Sequence, residues 1–324
     1  MIRLRVRTAA ILAALVLAGP IAAFGPAQSR TTQPFEGVTL IDRVESAPRP
    51  IHARVVQIDL STPGLSFQLS PPRGTREVVR ETTADYLRRS GAQIAINSHF
   101  FLPFPATDTD VWVIGLAASD GRVFSAFESP EQNYAIVADA PALNIDARNR
   151  ASIVHRDPSG TDGRKVRESV ELWTVLAGSA QIVTDGRVTI PEYRDAAHPS
   201  GLLAPGGPRA YSNENSWYEV ITARSAIGLS RDNRTLTLFV VDARGGSDGM
   251  SVREVATWLA KDYGVWNALN LDGGGSTSLA MVDPASGTPA LINTSSDNPS
   301  GRSVGTSLAV FAPTKRLSDE AMKR

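Results

Sequence analysis

The sequence predicts an α+β protein with large, mixed or mostly antiparallel β-sheets and few helices. Short stretches that alternate apolar and polar residues recur along the chain, as in Ile51–Leu60 and Thr235–Val241. Turn dipeptides separate these stretches, and Asp120-Gly121 predicts a hairpin over Val111–Phe124. The alternation of strand and helix that marks a doubly wound fold is missing from the pattern.

Composition narrows the class of protein before any motif is considered. The chain has 324 residues, of which 42% are hydrophobic, and this is enough for one large domain or two small ones with a substantial core. Its formal net charge is zero, so we expect no nucleic-acid partner. Because it contains no cysteine, disulfides, thiol catalysis, thiolate metal sites and lipoprotein attachment are excluded.

The first residues have the pattern of a secretory signal peptide. Arg3, Arg5 and Arg7 precede an uncharged, apolar stretch that ends in small residues near Ala27. Cleavage after residues 1–27 would make the protein periplasmic or secreted. The alternative is an uncleaved anchor in the inner membrane, but the strongly apolar part is shorter than the ~20 residues of a membrane span. We therefore expect no stable membrane insertion after cleavage.

The rest of the chain is interpreted as one domain with short extensions. Residues 28–50 are polar and contain several prolines, which predicts a linker followed by a first strand near Gly37–Ile41. Residues 51–313 carry the alternating strands of the domain, and residues 314–324 form a polar tail. Within the domain, Glu192–Trp217 is the least regular part, and a loop of that length is usually functional or disordered.

Two helices interrupt the predicted strands. The first covers Thr82–Arg89, with a threonine cap at its start and Gly91 just beyond its end. The second covers Ser251–Tyr263, where Ser251 and Glu254 have the spacing of a capping box.

A glycine-rich segment near residue 273 is the most unusual feature of the sequence. An apolar strand ends at Asn270 and Asp272 and runs into three consecutive glycines and three hydroxyl residues. Consecutive glycines permit positive φ or the close approach of a ligand, and their N–H groups can surround an oxyanion. Neither a Walker loop nor a dinucleotide-binding motif fits this segment. The alternative is a glycine-rich hairpin in which the aspartate caps a turn.

Other predicted strands also end in residues that can perform chemistry. If these ends converge, they bring together carboxylates, guanidiniums, an imidazole and amides. Guanidiniums match phosphate oxygens, and carboxylates can act as acid, base or nucleophile. Each residue could instead be structural, for example as a surface ion pair or a turn cap. The residues at these ends are Asn97, His99, Arg224, Asp242, Arg244, Asn270, Asp272, Asp297 and Arg302.

The run Arg224–Met281, with Asn97–Phe101 upstream and Gly301–Phe311 downstream, resembles the phosphodiester glycosidase family. The similarity extends over roughly Ile51–Ala312. It matches the family's Asn-Leu-Asp-Gly-Gly-Gly-Ser motif, its arginine before Ala-Ile-Gly, its Asp-x-Arg and its Asn-x-x-Phe-Phe segment. The sequence departs from the usual pattern at Ser98-His99, where the family has two glycines.

The resemblance implies a hydrolase that releases a sugar and a phosphomonoester from a sugar 1-phosphodiester, and the signal-peptide pattern implies that it is exported. Asp272 and Asp242 would be the acid/base or nucleophile pair. The arginines and the glycine-rich loop would bind the phosphate, while Asn97 and His99 would orient the sugar or leaving group. The predicted substrate-binding residues are Asn97, His99, Arg224, Arg244, Asn270, Gly273, Gly274, Gly275, Ser276 and Arg302.

Two other functions and a metal remain open at this stage. The departures from the family pattern are compatible with a non-catalytic protein that binds sugar-phosphate polymers of the cell envelope. A phosphodiesterase that cleaves the P–O bond would use the same inventory of residues. Asp242, Asp272 and Asp297 could bind a divalent cation such as Ca²⁺, although no loop has EF-hand spacing.

Overall fold

The structure is a computed structural model. The sequence also predicts a strand over Tyr134–Ala138. This strand, the signal peptide, Glu192–Trp217 and most of the polar tail lie outside the residues that the model describes. The described residues are 28–103, 107–128, 140–190 and 218–315.

These described residues form many short strands and two α-helices, and the strand pairings are antiparallel, which confirms the predicted class. In chain order the strands are β1 (Gln28–Phe35), β2 (Val38–Glu45), β3 (Ile51–Asp59), β4 (Ser66–Leu69), β5 (Val78–Val79), β6 (Glu81–Thr82), β7 (Ile94–Asn97), β8 (Phe101–Leu102), β9 (Asp110–Val113), β10 (Ala117–Ser119), β11 (Arg122–Ser125), β12 (Ala142–Ile145), β13 (Ala151–Val154), β14 (Thr174–Ala177), β15 (Ala180–Thr184), β16 (Arg187–Val188), β17 (Arg224–Ser230), β18 (Thr235–Val241), β19 (Val265–Asn270), β20 (Leu279–Val282), β21 (Pro289–Leu291), β22 (Ser303–Val304) and β23 (Ser307–Phe311). The helices are α1 (Thr83–Ser90) and α2 (Val252–Asp262).

Three sheets surround the main hydrophobic core. The largest has eight strands in the order β1-β2-β3-β18-β17-β19-β15-β16. A second sheet has the order β21-β20-β7-β23-β4, and a third has the order β11-β10-β14-β12-β13. Buried side chains from all three sheets, such as Leu238, Ile96 and Leu143, belong to one core cluster, so burial of apolar surface joins the sheets.

The helices cover the outer faces of two sheets. Residues on one side of α2, including Val255 and Leu259, pack with Phe239 on the eight-stranded sheet. Residues of α1, including Tyr86 and Leu87, pack against the second sheet. Neither described helix is long and apolar enough to cross a membrane.

The capping residues predicted for the two helices are confirmed. The Thr82 hydroxyl accepts a hydrogen bond from the N–H of Asp85, and Gly91 ends α1 in a left-handed conformation with φ of 73°. In α2 the Ser251 hydroxyl accepts from the N–H of Glu254, and the Glu254 carboxylate accepts from the N–H of Ser251. The predicted capping box is therefore present.

Two stretches differ from the sequence prediction. Residues 28–35 form strand β1, where the sequence predicts a linker, because this polar segment pairs with β2 at an exposed sheet edge and needs no apolar alternation. Val111–Phe124 is not a single hairpin. The turn at Asp120-Gly121 joins β10 and β11, but Gly115, with φ of 104°, redirects the chain, so that β9 pairs with β5 and β8.

The topology brings the predicted strand ends together. β18 and β19 both pair antiparallel with β17, so they run in the same direction. Their C-terminal ends therefore lie at the same end of the strands, here termed the sheet edge. Val241 lies opposite Arg224 at that edge, and Asn270 lies opposite Ala226. From β19 the chain crosses to β20 in the second sheet through one turn of 3₁₀ helix, Gly274–Ser276.

Candidate active site

The glycine-rich loop is closely surrounded by the chain itself. Gly274 has φ of 59°, and its N–H donates to the carbonyl of Ala223 over 2.7 Å. A Cβ on Gly275 would lie 2.2 Å from Nη2 of Arg302. A side chain at position 275 would therefore displace the Arg302 guanidinium, which lies directly against the loop.

Asn97 joins the glycine-rich loop to the eight-stranded sheet and to the second sheet. Its Nδ2 donates to the carbonyl oxygen of Asp272 over 2.6 Å. Its Oδ1 accepts from the Ser225 hydroxyl over 2.7 Å and from the N–H of Ser278 over 3.0 Å. Since the side chain is wholly buried, these bonds fix the backbone on either side of the glycine-rich loop.

The carboxyl group of Asp272 is buried and lies among weak partners. Burial raises the pKa of Asp272 from 3.8 to about 7. A hydrogen bond from Ser276, the positive charge of Arg302 and the N–H of Gly273 oppose this rise but do not cancel it. A carboxyl group with a pKa near neutrality can hold or release a proton at physiological pH, as a catalytic acid or base must.

Arg302 connects this carboxyl group to the rim of the site. Its Nη1 donates to the Ser276 hydroxyl over 3.4 Å, and its Nε donates to the Asp297 carboxylate over 3.1 Å. Asp297 is partly exposed, while Ser276 is buried. The structure thus brings together Asp272, Ser276 and Arg302 with the three glycines.

Asp242 lies at the same sheet edge in a different environment. Oδ2 of its fully buried carboxylate accepts from Nη1 of Arg54 over 2.6 Å. Oδ1 accepts from Nδ2 of Asn293 over 3.2 Å and from the N–H of Thr294 over 3.0 Å. Asn293 also accepts from the N–H of Leu279, at the start of β20. Asp242 therefore anchors the segment that packs beside the exit of the glycine-rich loop.

The other two predicted arginines lie in contrasting places. Arg224 is 2% exposed, and it donates to the carbonyl of Met250 over 3.1 Å and to that of Val220. Burial lowers the pKa of Arg224 to about 10. Its guanidinium therefore stays charged at neutral pH, and its hydrogen bonds hold the backbone at Met250 and Val220. Arg244 is exposed on the loop that follows β18.

His99 is packed inside the protein. Its Nε2 lies 2.9 Å from the backbone nitrogen of Ala177 and 3.1 Å from the carbonyl oxygen of Leu116, and its Nδ1 lies 2.8 Å from the Thr306 hydroxyl. Complete burial lowers the pKa of His99 to about 4, so the ring is neutral at pH 7. These contacts join β7 to the neighbouring elements.

Asn270 is also buried at the sheet edge. Its Nδ2 donates to the Ser179 hydroxyl over 2.8 Å, while its Oδ1 has no hydrogen-bond partner among the described residues.

The three aspartates considered as metal ligands do not form a joint site. In the described part of the chain, no group of three or more histidine, aspartate or glutamate side chains is arranged to hold a metal ion. Asp242 is paired with Arg54, and Asp297 accepts a hydrogen bond from Arg302.

Sequence reasoning missed the partners of Asp242. Arg54 lies in the middle of an alternating strand, where a polar residue is expected to face solvent, and Asn293 lies in a short loop after β21. Arg54 comes close to Asp242 through the pairing of β3 with β18, which places Arg54 opposite Val240. A single sequence does not show this pairing.

The site therefore combines a buried carboxyl group, a glycine-rich turn and an arginine, and the segment that carries these residues matches a known enzyme family. The chain belongs to the phosphodiester glycosidase family, whose sequence model matches residues 90–311.

Among its relatives is the bovine (Bos taurus) N-acetylglucosamine-1-phosphodiester alpha-N-acetylglucosaminidase, which is 26% identical over 210 residues. That match covers 65% of this chain and 35% of the relative, so the chain spans about a third of the length of the curated relatives that it matches.

Two solved structures share the fold. The catalytic domain of the zebrafish enzyme of the same name superposes with a TM-score of 0.55 at 19% identity, covering 93% of this chain and 86% of that one. A hypothetical protein from Synechocystis superposes with a TM-score of 0.61 at 17% identity, covering 89% of this chain and 64% of that one.

Proposed function

We propose that this protein is an exported glycosidase that cleaves the bond between the anomeric carbon of a sugar and the oxygen of a phosphodiester. The products are a free sugar and a phosphomonoester. The observation that carries the proposal is the buried carboxyl group of Asp272, with a pKa near 7, beside the Arg302 guanidinium at the glycine-rich turn. A neutral carboxyl group supplies a proton, and a guanidinium attracts a phosphate.

In the proposed reaction Asp272 acts as general acid. Its proton passes to the bridging oxygen as the bond from that oxygen to the anomeric carbon breaks. The oxygen of a water molecule bonds to the anomeric carbon and keeps one of its protons. The other proton of that water passes through solvent to Asp272 and restores its neutral carboxyl group. The acid suits its task because the second pKa of a phosphomonoester, about 6, is close to that of Asp272.

In this proposal the other buried residues position the site. Asp242 holds the backbone near the exit of the glycine-rich loop through Asn293, and Asn97 holds the carbonyl of Asp272. Arg302 is the proposed phosphate-binding arginine whose charge acts on Asp272, and its guanidinium lies against Gly275. Arg224 holds the backbone at Met250, and its own backbone lies close to Gly273.

Export rests on the sequence pattern of residues 1–27, and the substrate class rests on sequence similarity. Residues 1–27 have the pattern of a signal peptide, which supports action on phosphodiester-linked glycans outside the cytoplasm. Two curated relatives of the chain are named for N-acetylglucosamine 1-phosphodiesters. We therefore propose that an N-acetylhexosamine 1-phosphodiester is the first substrate to test.

The proposal is tested with a panel of sugar 1-phosphodiesters in water enriched in heavy oxygen. We expect release of free sugar, with the heavy oxygen on its anomeric carbon. Heavy oxygen in the phosphate would instead identify a phosphodiesterase that cleaves the P–O bond. Binding without any product would identify a non-catalytic sugar-phosphate-binding protein. Asp272→Asn is the control with strongly reduced activity, and Asp283→Asn, in an exposed turn, is the matched control that keeps activity.

A further inference from the structure

An arginine outside every sequence motif lies next to Arg302. Strand β22 pairs with β6, with Ser303 opposite Thr82. This pairing brings the residue before β6, Arg80, to the segment that carries Arg302. Nε of Arg80 donates to the carbonyl of Ser303 over 3.0 Å, directly after Arg302 in the chain.

The side chain of Arg80 is held from several sides. Its guanidinium carbon lies 4.8 Å from the centre of the Phe101 ring, and its Nη1 donates to the carbonyl of Asp108 over 3.2 Å. The N–H of Arg80 donates to the carbonyl of Thr109. Because an aromatic face and two carbonyl groups fix it, this guanidinium has little freedom to move away from Arg302.

The two guanidiniums interact electrostatically. Partial burial, and next the positive charge of Arg302, lower the pKa of Arg80, and the carboxylates of Asp108 and Asp297 oppose that effect. Like charges held close together are unfavourable, and an anion between or beside them relieves this cost. Arg302 also lowers the pKa of Asp272, so this member of the pair lies within electrostatic reach of the candidate acid.

We propose that Arg80 and Arg302 together form the subsite for the phosphoryl group of the substrate, on the rim beside Asp272. The inference rests on the proposed function, since it assigns the place where a sugar 1-phosphodiester puts its charge. In this arrangement the Phe101 ring supports one guanidinium and Gly275 admits the other. Arg80 is thereby a substrate-binding residue that no motif indicates.

The test measures binding of inorganic phosphate at neutral pH by calorimetry. We expect Arg80→Ala to weaken phosphate binding at least about tenfold, and Arg80→Lys to restore part of it, since lysine keeps the charge and loses the fork. Arg89→Ala is the matched control. Arg89 lies over the Tyr86 ring at 5.2 Å and pairs with Glu81, and its loss should leave phosphate binding unchanged.

In the binding experiment, three results would overturn the inference: a wild-type protein that does not bind phosphate, an Arg80→Ala variant that binds phosphate as wild type does, or an Arg89→Ala variant that loses as much affinity as Arg80→Ala. Partial phosphate binding by Arg80→Lys would show that the loss in Arg80→Ala comes from the missing charge and not from misfolding. If wild type cleaves phosphodiesters and Arg80→Ala keeps its KM, the inference fails while the proposed function stands. If phosphate binding depends on Arg80 but no sugar is released, the proposed function fails and the anion site stands.

Discussion

Two buried aspartates at one edge of the eight-stranded sheet have opposite environments. Asp242 accepts three hydrogen bonds, one of them from the guanidinium of Arg54. Asp272 is almost as buried, but its partners are weaker, and its pKa rises to about 7. Burial alone therefore does not decide what a carboxyl group does. A paired carboxylate holds the structure together, and a poorly paired one can exchange a proton near neutral pH.

The largest effect should come from removing the acid. Asp272→Asn keeps the shape of the side chain but cannot donate a proton from a carboxyl group. We expect kcat on a sugar 1-phosphodiester to fall by about a thousandfold, within the usual range for general acid catalysis. Turnover within about tenfold of wild type would remove Asp272 from this role.

The same substitution should stabilise the fold above neutral pH. Because the folded-state pKa of Asp272 is raised, the native protein binds the proton more tightly, and stability is lost as pH rises from about 4 to about 7. Asp272→Asn removes this loss, so its stability gain over wild type should grow to as much as ~4 kcal/mol at alkaline pH. Urea unfolding at acidic and alkaline pH measures the difference, and equal gains at both would contradict the raised pKa.

Breaking the ion pair of Asp242 should affect stability. Arg54→Ala leaves a buried carboxylate without its counter-charge, which costs about 3 kcal/mol in the free energy of unfolding. Arg88→Ala, which breaks the exposed pair with Asp85, is the matched control and should change stability by less than about 0.5 kcal/mol. Equal effects of the two variants would show that the Arg54–Asp242 pair is not an anchor.

A methyl group at position 275 should displace the neighbouring guanidinium. The Cβ of Gly275→Ala would lie 2.2 Å from Nη2 of Arg302, so the arginine must move. We expect KM for a sugar 1-phosphodiester to rise about tenfold. Combining Gly275→Ala with Arg302→Ala tests the cause. The double variant should be no worse than Arg302→Ala alone, whereas additive effects would separate the two residues.

The smallest effect should come from the hydroxyl that bonds to Asp272. The Ser276 side chain stabilises the charged form of Asp272 and lowers its pKa. Ser276→Ala should therefore raise that pKa and move the midpoint of the pH–rate profile to higher pH, by roughly half a unit. A midpoint that stays in place, or moves to lower pH, would show that the hydrogen bond does not act on this carboxyl group.

Sequence reasoning worked where the signal is local. The caps of α1 and α2 depend on residues three positions apart, and the prediction that several strands end in polar residues needs only the order of residues along the chain. The edge strand β1 was not predictable in this way, because an exposed polar strand and a linker have the same composition.

The partners of the predicted site residues depend on contacts that are distant in sequence. Arg54 reaches Asp242 across 188 positions, through the register of β3 on β18. Arg80 comes beside Arg302 only because β6 pairs with β22. A single sequence contains no signal for these pairings. They decide that Asp242 is paired with an arginine, while Asp272 remains available for proton transfer.

The pH dependence of kcat/KM on a sugar 1-phosphodiester, from about pH 5 to about pH 9, tests the role of Asp272 most directly. If Asp272 is the general acid, kcat/KM of the wild-type protein falls as pH rises through about 7, because the carboxyl group loses its proton there. The residual activity of Asp272→Asn should lack this transition. A wild-type profile that is flat through neutral pH, or that rises with pH, would contradict the assignment.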